Sequence, residues 1–276
     1  MSLQSVSLAS SGPVVAGLVA QKILVFDSGL GGLSVLAELR WQIPAAHIVY
    51  VADDAAFPYG DWPEAALRDH IVELVGQLIA AHQPDFVVIA CNTASTLVLP
   101  RLRACHNVPF VGTVPAIKPA AAATRSGLLS VIATPRAIAS DYTRQLVEAH
   151  AEGVDVTLVG APKLAGIVEG WLAGIGVDED AVRAEIEPCF VERDGKRTDV
   201  VVLGCTHYPL IQPIIERVAP WQVDWIDGAR AIARRAAEFA GATGGTLAEG
   251  TIRFTSGKRA NAQLTTRLAE FGLMAE

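Results

Sequence analysis

Short, nearly unbroken runs of Val, Ile, Leu and Ala punctuate this chain from Ile23 onward, with longer amphipathic stretches between them. The runs cover residues 23–26, 48–52, 86–90, 110–112, 128–133, 154–159, 200–204 and 223–226. Apolar at successive positions, such a run sits stably in a strand only when both faces of its sheet are covered. Among the intervening stretches, residues 64–82 set Leu67, Ile71, Leu74, Val75, Leu78 and Ile79 along one face at helical spacing. Strands alternating with helices make parallel sheets wrapped by helices, so the expected class is α/β.

Two of these runs are near copies. Asp85-Phe-Val-Val-Ile-Ala-Cys91-Asn-Thr and Asp199-Val-Val-Val-Leu-Gly-Cys205-Thr-His each place an aspartate six residues before a cysteine and hydrogen-bonding residues after it. Ile23-Leu-Val-Phe-Asp27-Ser28 and Leu129-Ser-Val-Ile-Ala-Thr134 open the two halves in similar fashion. The expectation is two similar parallel-sheet domains facing each other across a central cleft. The first would comprise residues 22–116 plus 227–276 and carry Cys91; the second would comprise 117–226 and carry Cys205. Segments 115–119 and 221–227 are the expected crossings. Residues 1–21 form an N-terminal extension expected to be flexible. Because ligands of open α/β sheets bind outside the carboxyl ends of the strands, both thiols should open into the shared cleft.

Composition narrows the function. The formal charge is −7 and no Lys/Arg cluster stands out, which argues against a nucleic-acid surface. Cys91, Cys105, Cys189 and Cys205 lack C-x-x-C spacing, so no metal site is expected. With 51% hydrophobic residues the core needs no disulfide staples, and a reducing compartment is expected. Residues 1–21 lack the basic start and unbroken apolar block of a signal peptide, and no run nears the roughly 20 residues of a membrane span. The expected partners are small molecules or copies of the chain itself.

The motifs divide by strength. Asp27-Ser-Gly-Leu-Gly-Gly32 reads as a strand-to-helix turn whose amides could hold an anion, but Ser34 replaces the last glycine of a dinucleotide fingerprint. Asp53-Asp54 precedes the turn Pro58-Tyr59-Gly60; neighbouring side chains on a strand point to opposite faces, so the pair does not suggest a metal. A lone cysteine after a buried strand is usually a small inert hydrophobe. Two in matched positions, each followed by polar residues, read instead as a reactive pair, with turn amides expected to lower the thiol pKa. His207 stands where it could tune proton transfer at Cys205. Glu169 by itself reads as a carboxylate on a helix surface.

Taken in order, Asp27-Ser28-Gly29, Pro58-Tyr59-Gly60, Cys91-Asn92-Thr93-Ala94-Ser95 and Cys205-Thr206-His207 closely resemble the glutamate racemase family of the aspartate/glutamate racemase superfamily, over residues 22–227 at least. Relatives typically have an acidic residue in place of His207, so Cys-Thr-His points to glutamate rather than aspartate. The resemblance implies interconversion of L- and D-glutamate for peptidoglycan, with neither pyridoxal phosphate nor metal, by a cytoplasmic homodimer. It implies Cys91 and Cys205 as the two acid/bases, Asp27 assisting Cys91, and His207 with Glu169 assisting Cys205. It implies substrate contacts from Ser28, Pro58, Tyr59, Gly60, Asn92, Thr93, Thr134 and Thr206. Departures are Ala137, where the family commonly has a threonine, Ala52-Asp53 for Gly-Asp, and the missing arginine before Pro-Tyr-Gly. Alternatives are an aspartate or hydantoin racemase of the superfamily, a Cys205/His207 hydrolase whose side chains need not meet, and an inactive binding protein that keeps the cleft.

Overall fold

The computed structural model describes residues 21–240 and 245–275; the expected extension, apart from Gln21, lies outside them. In chain order the elements are β1 (Lys22–Asp27), α1 (Leu33–Gln42), β2 (His47–Ala52), α2 (Glu64–His82), β3 (Phe86–Ile89), α3 (Asn92–Cys105) and β4 (Phe110–Gly112). After a crossing come α4 (Ile117–Ala123), β5 (Leu128–Ala133), α5 (Pro135–Ala139), α6 (Asp141–His150), β6 (Asp155–Gly160), α7 (Leu164–Leu172) and α8 (Glu179–Ile186). A two-strand hairpin, β7 (Glu192–Arg193) with β8 (Lys196–Arg197), leads to β9 (Val200–Leu203), α9 (Gln212–Val218) and β10 (Asp224–Ile226). The chain then returns through α10 (Ala229–Ala240) to β11 (Gly250–Phe254), α11 (Ala262–Glu270) and β12 (Leu273–Ala275).

These strands form two parallel sheets, ordered β12-β11-β2-β1-β3-β4 and β10-β9-β5-β6. The class is α/β, as the runs implied. All eight expected strands are present with ends shifted by at most one or two residues. The sequence pattern missed β11, β12 and the β7–β8 hairpin. In β11, Thr251 and Arg253 alternate with buried Gly250, Ile252 and Phe254, so no continuous apolar run marks it.

The helix at 64–82 ends as expected, with Gln83 in the left-handed conformation closing α2 through its N–H on the Ile79 carbonyl. Leu67, Ile71, Val75 and Leu78 of α2 bury against Leu24, Phe26, Val87 and Ile89 on one face of the first sheet. The opposite face, including Ile23, Val25 and Ile48, belongs to a cluster that runs through α1 and α10 into Ile132 and Leu203 of the second sheet and Tyr208 in the turn after β9. The lobes thus share one core. Burial at about 25 cal/mol per Å² makes that shared core the main force aligning the two sheets.

The repeated aspartates lie at the strand starts, far from the cysteines along each run. Asp85 accepts the backbone N–H of Lys22 at 2.7 Å, tying β3 to β1. Asp199 accepts from Thr124 Oγ1 (2.6 Å), Arg125 N (2.7 Å), Ser126 N (2.9 Å) and Ser126 Oγ (2.9 Å), tying β9 to the turn before β5. One end of each copied run is a staple, which leaves the other free for a site.

Candidate active site

Cys91 follows β3 and Cys205 follows β9, so each sheet delivers one thiol at the carboxyl end of a central strand. Both line one cavity of about 640 Å³ between the lobes. From the first lobe Ser28, Pro58, Tyr59, Gly60, Asn92 and Thr93 join its wall; from the second, Thr134, Thr206 and His207 do. Asp27 and Glu169, also singled out from sequence, stand behind that wall. Cys105 is exposed and Cys189 is buried, and neither lines the cavity; all four cysteines are free.

Cys91 is the N-cap of α3: its Sγ accepts the Ala94 N–H at 3.5 Å, and its thiol donates to Ser28 Oγ at 3.6 Å. The sequence had suggested a lowered thiol pKa. The structure reverses this: burial, seconded by the negative charge of Asp27, pushes the Cys91 thiol up to about 12, against the smaller pull of the Ala94 amide and Ser28. Desolvation of a charged form outweighs one long capping bond.

At the other thiol, Cys205 Sγ stands 3.6 Å from His207 Nδ1, and His207 Nε2 stands 2.9 Å from Glu169 Oε1. The same carboxylate oxygen accepts the Leu30 N–H at 2.6 Å, reaching from α7 in the second lobe to the turn after β1 in the first. Glu169 is therefore no surface carboxylate, and the Cys205 and His207 side chains do meet. Burial alone would push the His207 imidazole down; its neighbours Cys205 and Glu169 prevail and hold it well above the usual histidine value. Burial likewise works to raise Glu169, but His207 and the Leu30 amide keep it below the ordinary carboxylate range. The geometry is an imidazole ring between a sulfur and a carboxylate, and both neighbours favour its protonated form.

The glycine turn after β1 fits closely over this line. A Cβ at Gly31 would overlap the His207 ring, and one at Gly29 would overlap the Glu169 carboxylate. The turn amides hold protein carboxylates: Gly29 N and Gly32 N each donate to Asp27 Oδ2 at 3.1 Å, beside the Leu30 bond to Glu169. Asp27 is buried and its pKa raised, chiefly by burial. It makes no hydrogen bond to Cys91 and acts on that thiol through its field.

Several bonds join the lobes around the cavity. Asn92 Nδ2 donates to the Gly204 carbonyl at 2.7 Å, leaving its buried Oδ1 without a protein partner. Ser34 Oγ donates to the Thr206 carbonyl at 2.7 Å, and Thr93 Oγ1 lies 3.0 Å from Thr134 Oγ1. Arg136 reaches from α5 to the carbonyls of Gly60 (3.4 Å) and Trp62. Ala137 is buried, its amide donating to Thr134 Oγ1 at 3.4 Å.

Behind the Pro58-Tyr59-Gly60 wall the adjacent aspartates take different partners, although neither lies in a strand: Asp53 follows the end of β2 and Asp54 opens a short 3-10 turn. Asp53, fully buried, accepts from Tyr59 Oη (2.7 Å) and Thr255 Oγ1 (2.9 Å) and pairs with His70 Nε2 (2.7 Å). Asp54 accepts from Ser256 N (3.0 Å) and Ser256 Oγ (2.6 Å) and pairs with Lys258 Nζ (3.1 Å). Sequence reasoning missed His70, Thr255, Ser256, Lys258 and Arg136. The only signal was the unexplained Asp53-Asp54 pair. Among the described residues no group of three or more His, Cys, Asp or Glu side chains is placed to hold a metal ion.

Two facing sheets, each supplying a thiol to one cleft, match an amino-acid racemase, and the comparisons agree: the sequence profile of the Asp/Glu/Hydantoin racemase family matches residues 34–236, and the chain belongs to that family. Curated glutamate racemases are among its relatives. That of Sinorhizobium medicae is 54% identical over 240 residues, 86% of this chain and 89% of the relative. That of Brucella anthropi is 59% identical over 214 residues, 77% of each. The Escherichia coli glutamate racemase, solved with L-glutamate and the activator UDP-MurNAc-ala, superposes with a TM-score of 0.85 at 34% identity, covering 93% of this chain and 97% of that one. The chain is an isomerase of the glutamate racemase kind.

Proposed function

We propose that the chain interconverts L- and D-glutamate by two-thiol acid/base chemistry at Cα, without a cofactor. The observation that carries this reading is that Cys91 and Cys205, from different sheets, open on one cavity between the lobes. Inversion removes the α-proton on one face and returns one on the other, and bases from two lobes can address the two faces without the substrate turning over. The L-glutamate held in the E. coli glutamate racemase structure supports the choice of amino acid.

The resting site supports an asymmetric start. Burial keeps Cys91 a thiol, the acid. The imidazolium of His207 stabilises negative charge on the Cys205 sulfur, the base, and Glu169 stabilises the imidazolium. In one direction Cys205 takes the α-proton while Cys91 donates its own to the opposite face. The site then holds Cys91 as thiolate, relieved by the Ala94 amide and Ser28, and is ready for the other enantiomer. Asn92 Oδ1 suits the substrate ammonium; hydroxyls of Ser28, Thr93, Thr134 and Thr206 and the turn at Pro58, Tyr59 and Gly60 suit its carboxylates. Fixed donors around the carboxylate, with water excluded, lower the barrier to the carbanion.

The proposal extends to supply of D-glutamate for peptidoglycan, to the cytoplasm, where four free cysteines stay reduced, and to a homodimer. Among the described residues no helix is long and apolar enough to cross a membrane. The test is dialysed protein with L-glutamate in D₂O. Optical activity should decay while deuterium enters at Cα. Cys91→Ser and Cys205→Ser should each abolish the decay, and Cys105→Ser and Cys189→Ser should leave it nearly intact. Full activity in either of the first two variants would overturn the two-thiol scheme.

A further inference from the structure

The thiol cavity has a neighbour. A second cavity of about 620 Å³ lies on the far side of Gly60, Thr93, Pro135 and Arg136, which line both spaces. At that partition the lobes meet through contacts that are partly buried or exposed: the part-buried Thr93–Thr134 hydroxyl pair, and the Arg136 guanidinium on the Trp62 carbonyl, part-buried, and the Gly60 carbonyl, exposed. Of the other cross-lobe bonds named above, those from Asn92 and Ser34 are buried, and the Leu30 amide on Glu169 lies behind the thiol cavity at His207.

We infer that Arg136 is a positioning residue: it bolts α5 to the Tyr59–Trp62 turn and closes the thiol cavity against the outer space. The inference rests on that cavity being the reaction chamber. Two features suit a bolt rather than a fixed strut. In the closed position Arg136 Nε is buried with no partner, so the side chain leaves one donor unsatisfied that rotation into solvent would satisfy. Its acceptors are backbone carbonyls on a turn anchored from behind by Asp53 and His70, with Trp62 stacked on His70 at 5.2 Å, so the receiving side is rigid while the bolt is a flexible cation. Withdrawn, the guanidinium joins the outer cavity and meets an anionic substrate as a free fork.

The experiment reads access rather than turnover. Wild-type, Arg136→Met and Arg136→Lys proteins are treated with iodoacetamide, and alkylation of each cysteine is followed by peptide mass spectrometry. The inference expects Cys91 and Cys205 to react about tenfold faster in Arg136→Met. Exposed Cys105 should be unchanged, buried Cys189 should stay slow, and Arg136→Lys should fall between. KM for glutamate should rise more than kcat falls. Unchanged rates at Cys91 and Cys205 would overturn the inference. So would equal acceleration at Cys189, which would mean general loosening. Loss of racemase activity from the wild type would refute the proposed function while leaving the alkylation pattern to judge Arg136 by itself.

Discussion

At the scale of single residues, Glu169 does more than its position on a helix suggests. One oxygen of its carboxylate takes both the Leu30 amide and the His207 imidazole, so one atom couples two lobes and one proton-transfer line. The coupling has a pH signature. Glu169 is held below its ordinary 4.5, so its contribution to stability is present above 4.5 and lost as pH falls through the lowered value. His207 is held above its ordinary 6.5, so its contribution is present below 6.5 and lost as pH rises through the raised value. Thermal melts of wild type and Glu169→Gln should therefore differ most between pH 4.5 and 6.5 and converge on both sides. A constant difference across pH would mean that the pair is not ionised. Little of this was legible beforehand. The resemblance implied Glu169 with His207 at Cys205, but the Leu30 amide on the same oxygen lies far along the chain and only the fold brings it into contact.

At the scale of elements, the copied runs separate into two jobs. The strands were legible because continuous Val/Ile runs are stable only in covered parallel sheets; the cysteines were legible because they end two such runs in the same way. The aspartates that made the copies so alike turned out to fasten strand starts. Asp199→Ala, removing an acceptor of four donors, should cost about 1–2 kcal/mol in urea unfolding yet leave KM for glutamate unchanged. A large KM change with intact stability would place Asp199 in the reaction instead. The supports of the Tyr59 wall could not be read from sequence. His70 and Thr255 act through one buried carboxylate, and Arg136 through backbone carbonyls, and neither leaves a pattern in the order of residues.

For the whole molecule, the cleft is both the chamber and the seam between lobes, so a ligand that fills it binds the folded form alone. Either enantiomer of glutamate at about 100 times its Kd should stabilise the protein by about 2.7 kcal/mol. The effect should persist in Cys91→Ser, where binding outlives turnover, and L-lysine at the same concentration should not produce it. A shift by lysine of equal size would mean that the cleft does not recognise the acidic side chain.

The order of the first sheet also governs how the molecule is made. β11 lies between β12 and β2, although the whole second sheet is synthesised before it. A nascent chain that has just emerged as far as β10 can close the Cys205 lobe, whose four strands all fall between Leu128 and Ile226. The Cys91 lobe must wait, with the edge of β2 unpaired and open to stray association. Asp53 and Asp54 wait too, because Thr255, Ser256 and Lys258 reach them only after about 200 further residues have been translated. The half of the site translated first is thus the half completed last, and a chain cut short before Gly250 would keep both thiols yet lack the backing of the wall beside them.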